Sequence, residues 1–254
     1  MTRPVAIVTG GRRGIGFAAA TALADAGFDL AITDIADPGQ DGAPLDALKA
    51  RGAEAIYVKA DLAEVGSHKD TVDQVISRFG RIDCLVNNAG IGSVVRGDFL
   101  ELAPENFDTI INVNLRGTVF FTQAVLRAML SRPAEGPRTI VNITSVSAEL
   151  SSPERLDYCI SKAALSSFTQ GLALRLAGEG ISVFEVRPGI IRTEMTAKVA
   201  ARYDALIDGG LVPMKRWGEP GDVGAICAAL ARGDFGFATG SIINADGGLA
   251  IGRL

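Results

Sequence analysis

Seven short β-branched and apolar runs alternate with longer amphipathic ones along almost the whole chain. That alternation restricts the fold more than any single motif does. VAIVT (5–9), LAIT (30–33), AIYV (55–58), CLVN (84–87), TIVNI (139–143), SVFEV (182–186) and SIIN (241–244) read as strands. Several are apolar almost throughout, as expected of strands covered on both faces. Helical patterns lie between them at about 15–27, 40–51, 64–79, 104–131, 158–179 and 220–232. Strict alternation requires crossover connections, and so a doubly wound parallel sheet of about seven strands with helices on both faces. The 254 residues contain no repeat, linker or composition break, so the expectation is one Rossmann-like α/β domain over 1–254. The stretch 188–218 lacks clear strand character and follows a strand's carboxyl end, where ligands bind in such sheets. It reads as a substrate loop or lid.

Charge and cysteine usage exclude several function classes. The formal net charge is −4, and the Lys and Arg residues are scattered, so the basic face of a nucleic-acid binder is missing. Cys84, Cys159 and Cys227 lie far apart, which suits neither a disulfide framework nor a metal site. No apolar run approaches the ~18 residues of a membrane span, and no signal peptide is readable. The expectation is a cytoplasmic protein with no metal, membrane or nucleic-acid partner.

TGGRRGIG (9–16) leaves the first strand and enters the first helix. Glycines there allow a tight turn and close backbone approach to a pyrophosphate, and the helix start supplies N–H donors. The spacing of Gly10, Gly14 and Gly16 differs from Gly-x-Gly-x-x-Gly. Phe17 and Ala18 stand where a phosphate-loop NTPase needs Lys and Ser or Thr. Asp34, 18 residues past Gly16, ends strand two, where an acid can hold ribose hydroxyls. Asp61, with Leu62, follows strand three as an adenine contact or a helix N-cap. A bound dinucleotide accounts for these features together.

YCISK (158–162) offers Tyr158, Cys159 and Ser161 as reactive groups. A nucleophilic Cys or Ser needs a base, and the single histidine, His68, sits in the polar segment GSHKD and reads as a surface residue. Cys159 then reads as packing. Tyr158 and Lys162, four apart on a helix, share a face with Cβ atoms about 6 Å apart. An ammonium beside a phenol of pKa roughly 10 favours the phenolate. Ser145 lies just past strand five, and NNAG (87–90) forms another tight turn past strand four. Asn114, in NVNLRG, interrupts an apolar helical pattern.

Taken with RPG at 187–189 and Thr193, these stretches closely resemble the short-chain dehydrogenase/reductase family over nearly the whole chain, above all its 3-oxoacyl-(acyl-carrier-protein) reductases. The resemblance implies a tetrad of Asn114, Ser145, Tyr158 and Lys162. Tyr158 would be the general acid or base, Ser145 would polarise the substrate oxygen, and Lys162 would hold the nicotinamide ribose and lower the tyrosine pKa. The Asn114 carbonyl would order a relay water. It also implies cofactor contacts from Gly10, Arg12, Arg13, Gly14, Ile15, Gly16, Asp34, Asp61, Leu62, Asn88, Ala89, Gly90, Tyr158, Lys162, Pro188, Gly189, Ile191 and Thr193. Substrates would be a small carbonyl or alcohol, first an acyl thioester with or without a carrier protein, and second a sugar, polyol or secondary alcohol. A dinucleotide sensor without turnover would typically lack the tyrosine or the lysine. The family further implies a homotetramer built on the helices at 104–131 and 158–179. Asp34 argues for NAD(H), whereas Arg13 and Arg12 pull toward NADP(H). The expectation is NAD(H) favoured with NADP(H) used detectably.

Overall fold

The structure is a computed structural model that describes residues 3–37, 42–197 and 199–252. Gln40 and Asp41 of the expected second helix, and Lys198 of the expected lid, lie outside the described residues. The chain runs β1 (Val5–Thr9), α1 (Gly14–Asp25), β2 (Asp29–Asp34), α2 (Ala43–Lys49), β3 (Ala55–Lys59), α3 (His68–Phe79) and β4 (Cys84–Asn87). It continues with α4 (Pro104–Ile111), a π-helical turn (Asn112–Gly117), α5 (Thr118–Leu130), β5 (Arg138–Ile143), α6 (Leu156–Leu176) and β6 (Ile181–Pro188). The last elements are α7 (Glu194–Ala197), α8 (Ala200–Asp208), α9 (Pro220–Ala231) and β7 (Ile242–Ala245). All seven strands form one parallel sheet in the order β3-β2-β1-β4-β5-β6-β7.

Side chains alternate across a strand, so each strand feeds two cores. Ala6, Val8, Ile32, Val86 and Val186 pack under α1 and α9 with Leu23 and Cys227. Ile7, Leu85, Ile140 and Val183 pack under α3, α5 and α6 with Val75, Phe121 and Val125. Both faces are covered, which explains the unbroken apolar runs. The sheet order reverses between β1 and β4, and the crevice at their carboxyl ends is where this topology binds ligands.

The helix expected over 104–131 runs from Pro104 to Leu130 but is not α throughout. Its middle is a π turn holding Asn114 and Gly117. A Cβ on Gly117 would lie 2.4 Å from the Leu62 carbonyl oxygen, so the close approach there needs glycine. The stretch expected as a lid contains α7 and α8 and a small core of its own, Ile207, Val212 and Trp217. Its base is closed by a bridge between Ile191 and Gly218.

Candidate active site

Thr9, the last residue of β1, accepts hydrogen bonds through its hydroxyl from the Asn88 and Ala89 amides, both at 3.0 Å. The Asn88 side chain donates back to the Thr9 carbonyl at 2.9 Å and to Gly10 at 3.2 Å. The glycine loop and the NNAG turn are therefore one hydrogen-bonded unit. A Cβ on Gly16 would meet the Gly10 carbonyl oxygen at 2.1 Å, so α1 begins flush against the loop. The first turn of α1 has neither a side-chain cap nor an acid. Its orphan N–H groups and positive dipole end stay available, as a pyrophosphate requires. These residues fit a dinucleotide.

Around the ribose end, Asp34 Oδ1 accepts from the Ala36 amide at 3.1 Å, and Arg12 Nε lies 3.9 Å from the same oxygen. Arg13 forms an ion pair with Glu194, the first residue of α7. A Cβ on Gly14 would lie 3.7 Å from Thr193, so the glycine loop touches the segment after β6. Asp61 Oδ1 accepts from the Ala63 amide at 2.9 Å, a turn-capping role. Leu62 is 5% exposed and its side chain packs into the core beside Val72 and Phe121. Ile191 is buried in the same way, whereas Gly189 donates its N–H to Ala245 at 3.0 Å and Thr193 to Thr196 at 3.0 Å.

The four expected tetrad residues come from three elements, the π turn (Asn114), the turn after β5 (Ser145) and α6 (Tyr158 and Lys162), that meet at the carboxyl edge of β4 and β5. Ser145 follows β5, is nearly buried, and accepts from the Ser147 amide at 3.0 Å, which fixes its rotamer. Tyr158 stands in the first turn of α6. Burial raises its phenol pKa above 10.0, opposed by a hydrogen bond with Ser145 and by the Arg155 guanidinium. The sequence had suggested a lowered value from Lys162. Here desolvation outweighs the Ser145 hydrogen bond and the Arg155 guanidinium, and the Lys162 ammonium sits 5.7 Å from the ring centroid. Lys162 Nζ donates to the Ile143 carbonyl at 3.1 Å, and burial lowers its pKa to about 8, with Glu185 opposing the shift. Asn114, 1% exposed, clamps the chain after NNAG. Its Oδ1 accepts from the Ile91 amide at 2.8 Å, and its Nδ2 donates to the Ile91 carbonyl at 2.9 Å and to Ser161 at 3.2 Å. Gly90 lies under this clamp, 3.6 Å from Lys162 Nζ when given a Cβ.

Cys159 is buried with its sulfur accepting from the Ser152 amide, a packing role. His68 departs from expectation. It is 2% exposed, its Nε2 pairs with the Leu62 carbonyl at 3.0 Å, and its ring meets Phe121 edge-on. Its neighbours in GSHKD are polar because they face outward, while helix α3 turns this one ring under α5. Asp157 is a site residue that sequence reasoning passed over. Its Oδ1 accepts from Ser93 at 2.6 Å and from the Tyr158 amide at 2.7 Å, tying the loop after β4 to the start of α6. An acid in a helix's first turn was the available signal. Among the described residues, no group of three or more His, Cys, Asp or Glu could hold a metal, and no helix is long and apolar enough to cross a membrane.

Residues 10–250 match the family model described as enoyl-(acyl carrier protein) reductase. A 3-oxoacyl-(acyl-carrier-protein) reductase of Staphylococcus epidermidis is 34% identical over 96% of this chain and 98% of its own. Glucose 1-dehydrogenase 2 of Bacillus subtilis is 31% identical over 99% of this chain and 96% of its own. The crystal structure of a 3-oxoacyl-(acyl-carrier protein) reductase from Brucella melitensis in complex with NAD is 67% identical, covers 100% of both chains and superposes with a TM-score of 0.97.

Proposed function

Because this chain belongs to the short-chain dehydrogenase/reductase family, we propose that it reduces 3-oxoacyl thioesters or similar small β-keto compounds to 3-hydroxy products with NADH. It is an oxidoreductase of that family, whose cofactor is NAD(P)(H). The observation that carries the proposal is the meeting of Ser145, Tyr158 and Lys162 beside the glycine loop, with Asn114 bracing the turn between them. The bound dinucleotide would supply the hydride to the carbonyl carbon. Tyr158 gives its phenol proton to the oxygen, and a raised phenol pKa keeps that proton in place at neutral pH. Ser145 donates to the same oxygen and steadies its growing charge. Lys162 would hold the nicotinamide ribose, and the Asn114 main-chain carbonyl would order a water for proton resupply. The segment 188–218 acts as the lid over the substrate.

Asp34 supports NAD(H), and both arginines that would favour a 2′-phosphate already have acid partners, Asp34 for Arg12 and Glu194 for Arg13. The NAD complex of the Brucella protein agrees with this choice. NADP(H) would be a weaker alternative. The chain would assemble as a homotetramer through α4, α5 and α6, of which α5 exposes Phe120 and Leu130 and α6 exposes Leu174. Three buried free cysteines suit a cytoplasmic setting. Oxidation of a sugar or secondary alcohol is the second reading, favoured by the likeness to the Bacillus glucose dehydrogenase.

The test is turnover on acetoacetyl-CoA, a carrier-bound acetoacetyl thioester, glucose and a polyol panel with each cofactor. Reduction of the thioesters with NADH is the expected result. Polyol oxidation with no thioester reduction would replace the first reading by the second.

A further inference from the structure

Strand β6 carries two charged residues into a covered face. Side chains alternate along it, so Val183, Glu185 and Arg187 point to the same side, toward α6. Glu185 is 0% exposed, the kind of site where an acid costs stability unless it is paired. It is fully paired. Thr144 Oγ1 donates to it at 2.7 Å, Ser166 Oγ at 2.7 Å and Arg187 Nε at 2.6 Å. Three donors on one carboxyl group suit an acceptor-only, ionised carboxylate. Arg187 also donates to Ser166 at 2.9 Å and to Glu149 at 2.7 Å.

The partners of this cluster flank the candidate catalytic residues. Thr144 immediately precedes Ser145, and Glu149 ends the turn that begins at Ser145. Ser166 lies one helical turn beyond Lys162 on α6. Charges alternate outward along the ion pairs from buried Glu185 to Arg187 and then the more exposed Glu149, and the Glu185 carboxylate acts on the nearby Lys162 ammonium. Nothing in the tetrad's own chemistry requires Glu185 or Arg187. A glutamate in the otherwise apolar run SVFEV was its only mark in the sequence.

We propose that Glu185, held by Arg187, is a positioning residue for the Tyr158–Lys162 pair. It sets the buried charge opposite the Lys162 ammonium and ties Thr144 and Ser166 into one frame around it. This rests on the reading of that pair given above. Besides Glu185, Tyr158 on the same helix lies against Lys162, and Asp157 on that helix, Arg155 before it and Glu149 after β5 are the further charged residues of the surrounding elements. The turn after β4 and the π turn present only Gly90 and Asn114.

Removing the carboxylate charge should make the ammonium easier to deprotonate, and removing Arg187 should make it harder. The opposite signs separate electrostatic positioning from mere structural support. The experiment labels lysine ε-carbons with ¹³C, assigns Lys162 through Lys162→Arg, and follows its NMR titration alongside the alkaline limb of kcat/KM. Glu185→Gln should lower the Lys162 titration by about one pH unit and move the alkaline limb the same way. Arg187→Met should raise both. Glu185→Asp, which keeps the charge, should leave the titration near its original position. If Glu185→Gln does not fold, the direction of the Arg187→Met shift decides. Titrations that stay put, or that move the same way in both variants, overturn the proposal. A protein that shifts as expected but turns over no substrate would sink the proposed reaction and leave this inference standing.

Discussion

At Asp34 a carboxylate and a guanidinium share the ground where a ribose or its 2′-phosphate would lie. The carboxylate meets a phosphate charge to charge, at a cost of order 1 kcal/mol or more when partly desolvated. Arg12 stands beside it at 3.9 Å and would be released by its removal. Asp34→Ala should therefore shift the ratio of NADP(H) to NAD(H) affinity about tenfold toward NADP(H), measured as Kd for all four forms. An unchanged ratio would mean that the carboxylate does not face the ribose. His68 gives a second single-residue expectation, on stability. Burial lowers its pKa from 6.5, so the folded protein holds the ring neutral while the unfolded chain takes up a proton as pH falls. Its contribution to stability is present above about pH 6.5 and lost below it. Replacing it by Gln should flatten the fall in urea-unfolding stability between about pH 7 and pH 5. A slope as steep as that of the wild type would show that other groups govern acid sensitivity.

The π turn at Asn112–Gly117 shows where helices were legible and where they were not. Periodicity identified a helical stretch from 104, because the apolar spacing on either side of the turn is regular. It could not show the extra residue, since a π turn costs little in pattern and is retained for what it places. The one local sign was Asn114, a poor interior helix residue. It is explained by three hydrogen bonds to Ile91 and Ser161. Gly117→Ala tests the same turn through stability. Its Cβ would meet backbone at Leu62 and not a flexible side-chain end, so the helix or the loop must move. A loss of about 1–3 kcal/mol in denaturant unfolding is expected. A neutral substitution would mean that the helix–loop approach is looser than this structure has it. The charged pair on β6 illustrates the opposite limit. Strand periodicity assigned its residues to a face, but only the docking of α6 reveals what that face holds.

Across the whole molecule, the sheet was readable because strands covered on both faces are apolar throughout, and parallel crossovers leave few topologies. Gly10, Asn88 and Ser145 were legible as site positions because all three lie just past strand ends, whereas Asn114, Tyr158 and Lys162 lie on helices and were singled out by residue type and by the family resemblance. The balance of burial against charge at Tyr158 and Lys162 did not follow, because desolvation depends on side chains distant in sequence. Assembly is a further expectation at this scale. Light scattering coupled to size exclusion should give four times the 26.4 kDa chain mass, and a monomer would refute the interface on α4, α5 and α6. The central claim is that the Tyr158 phenol transfers the proton in a reaction driven by bound dinucleotide. Comparison of wild type with Tyr158→Phe, by kcat/KM for acetoacetyl-CoA reduction and by Kd for NADH on the same preparations, tests it most directly. Loss of one positioned acid is typically worth about 10² to 10⁴ in rate, so turnover should fall by that factor or more while Kd stays within about threefold. A phenylalanine variant that reduces the thioester at the wild-type rate would contradict the account.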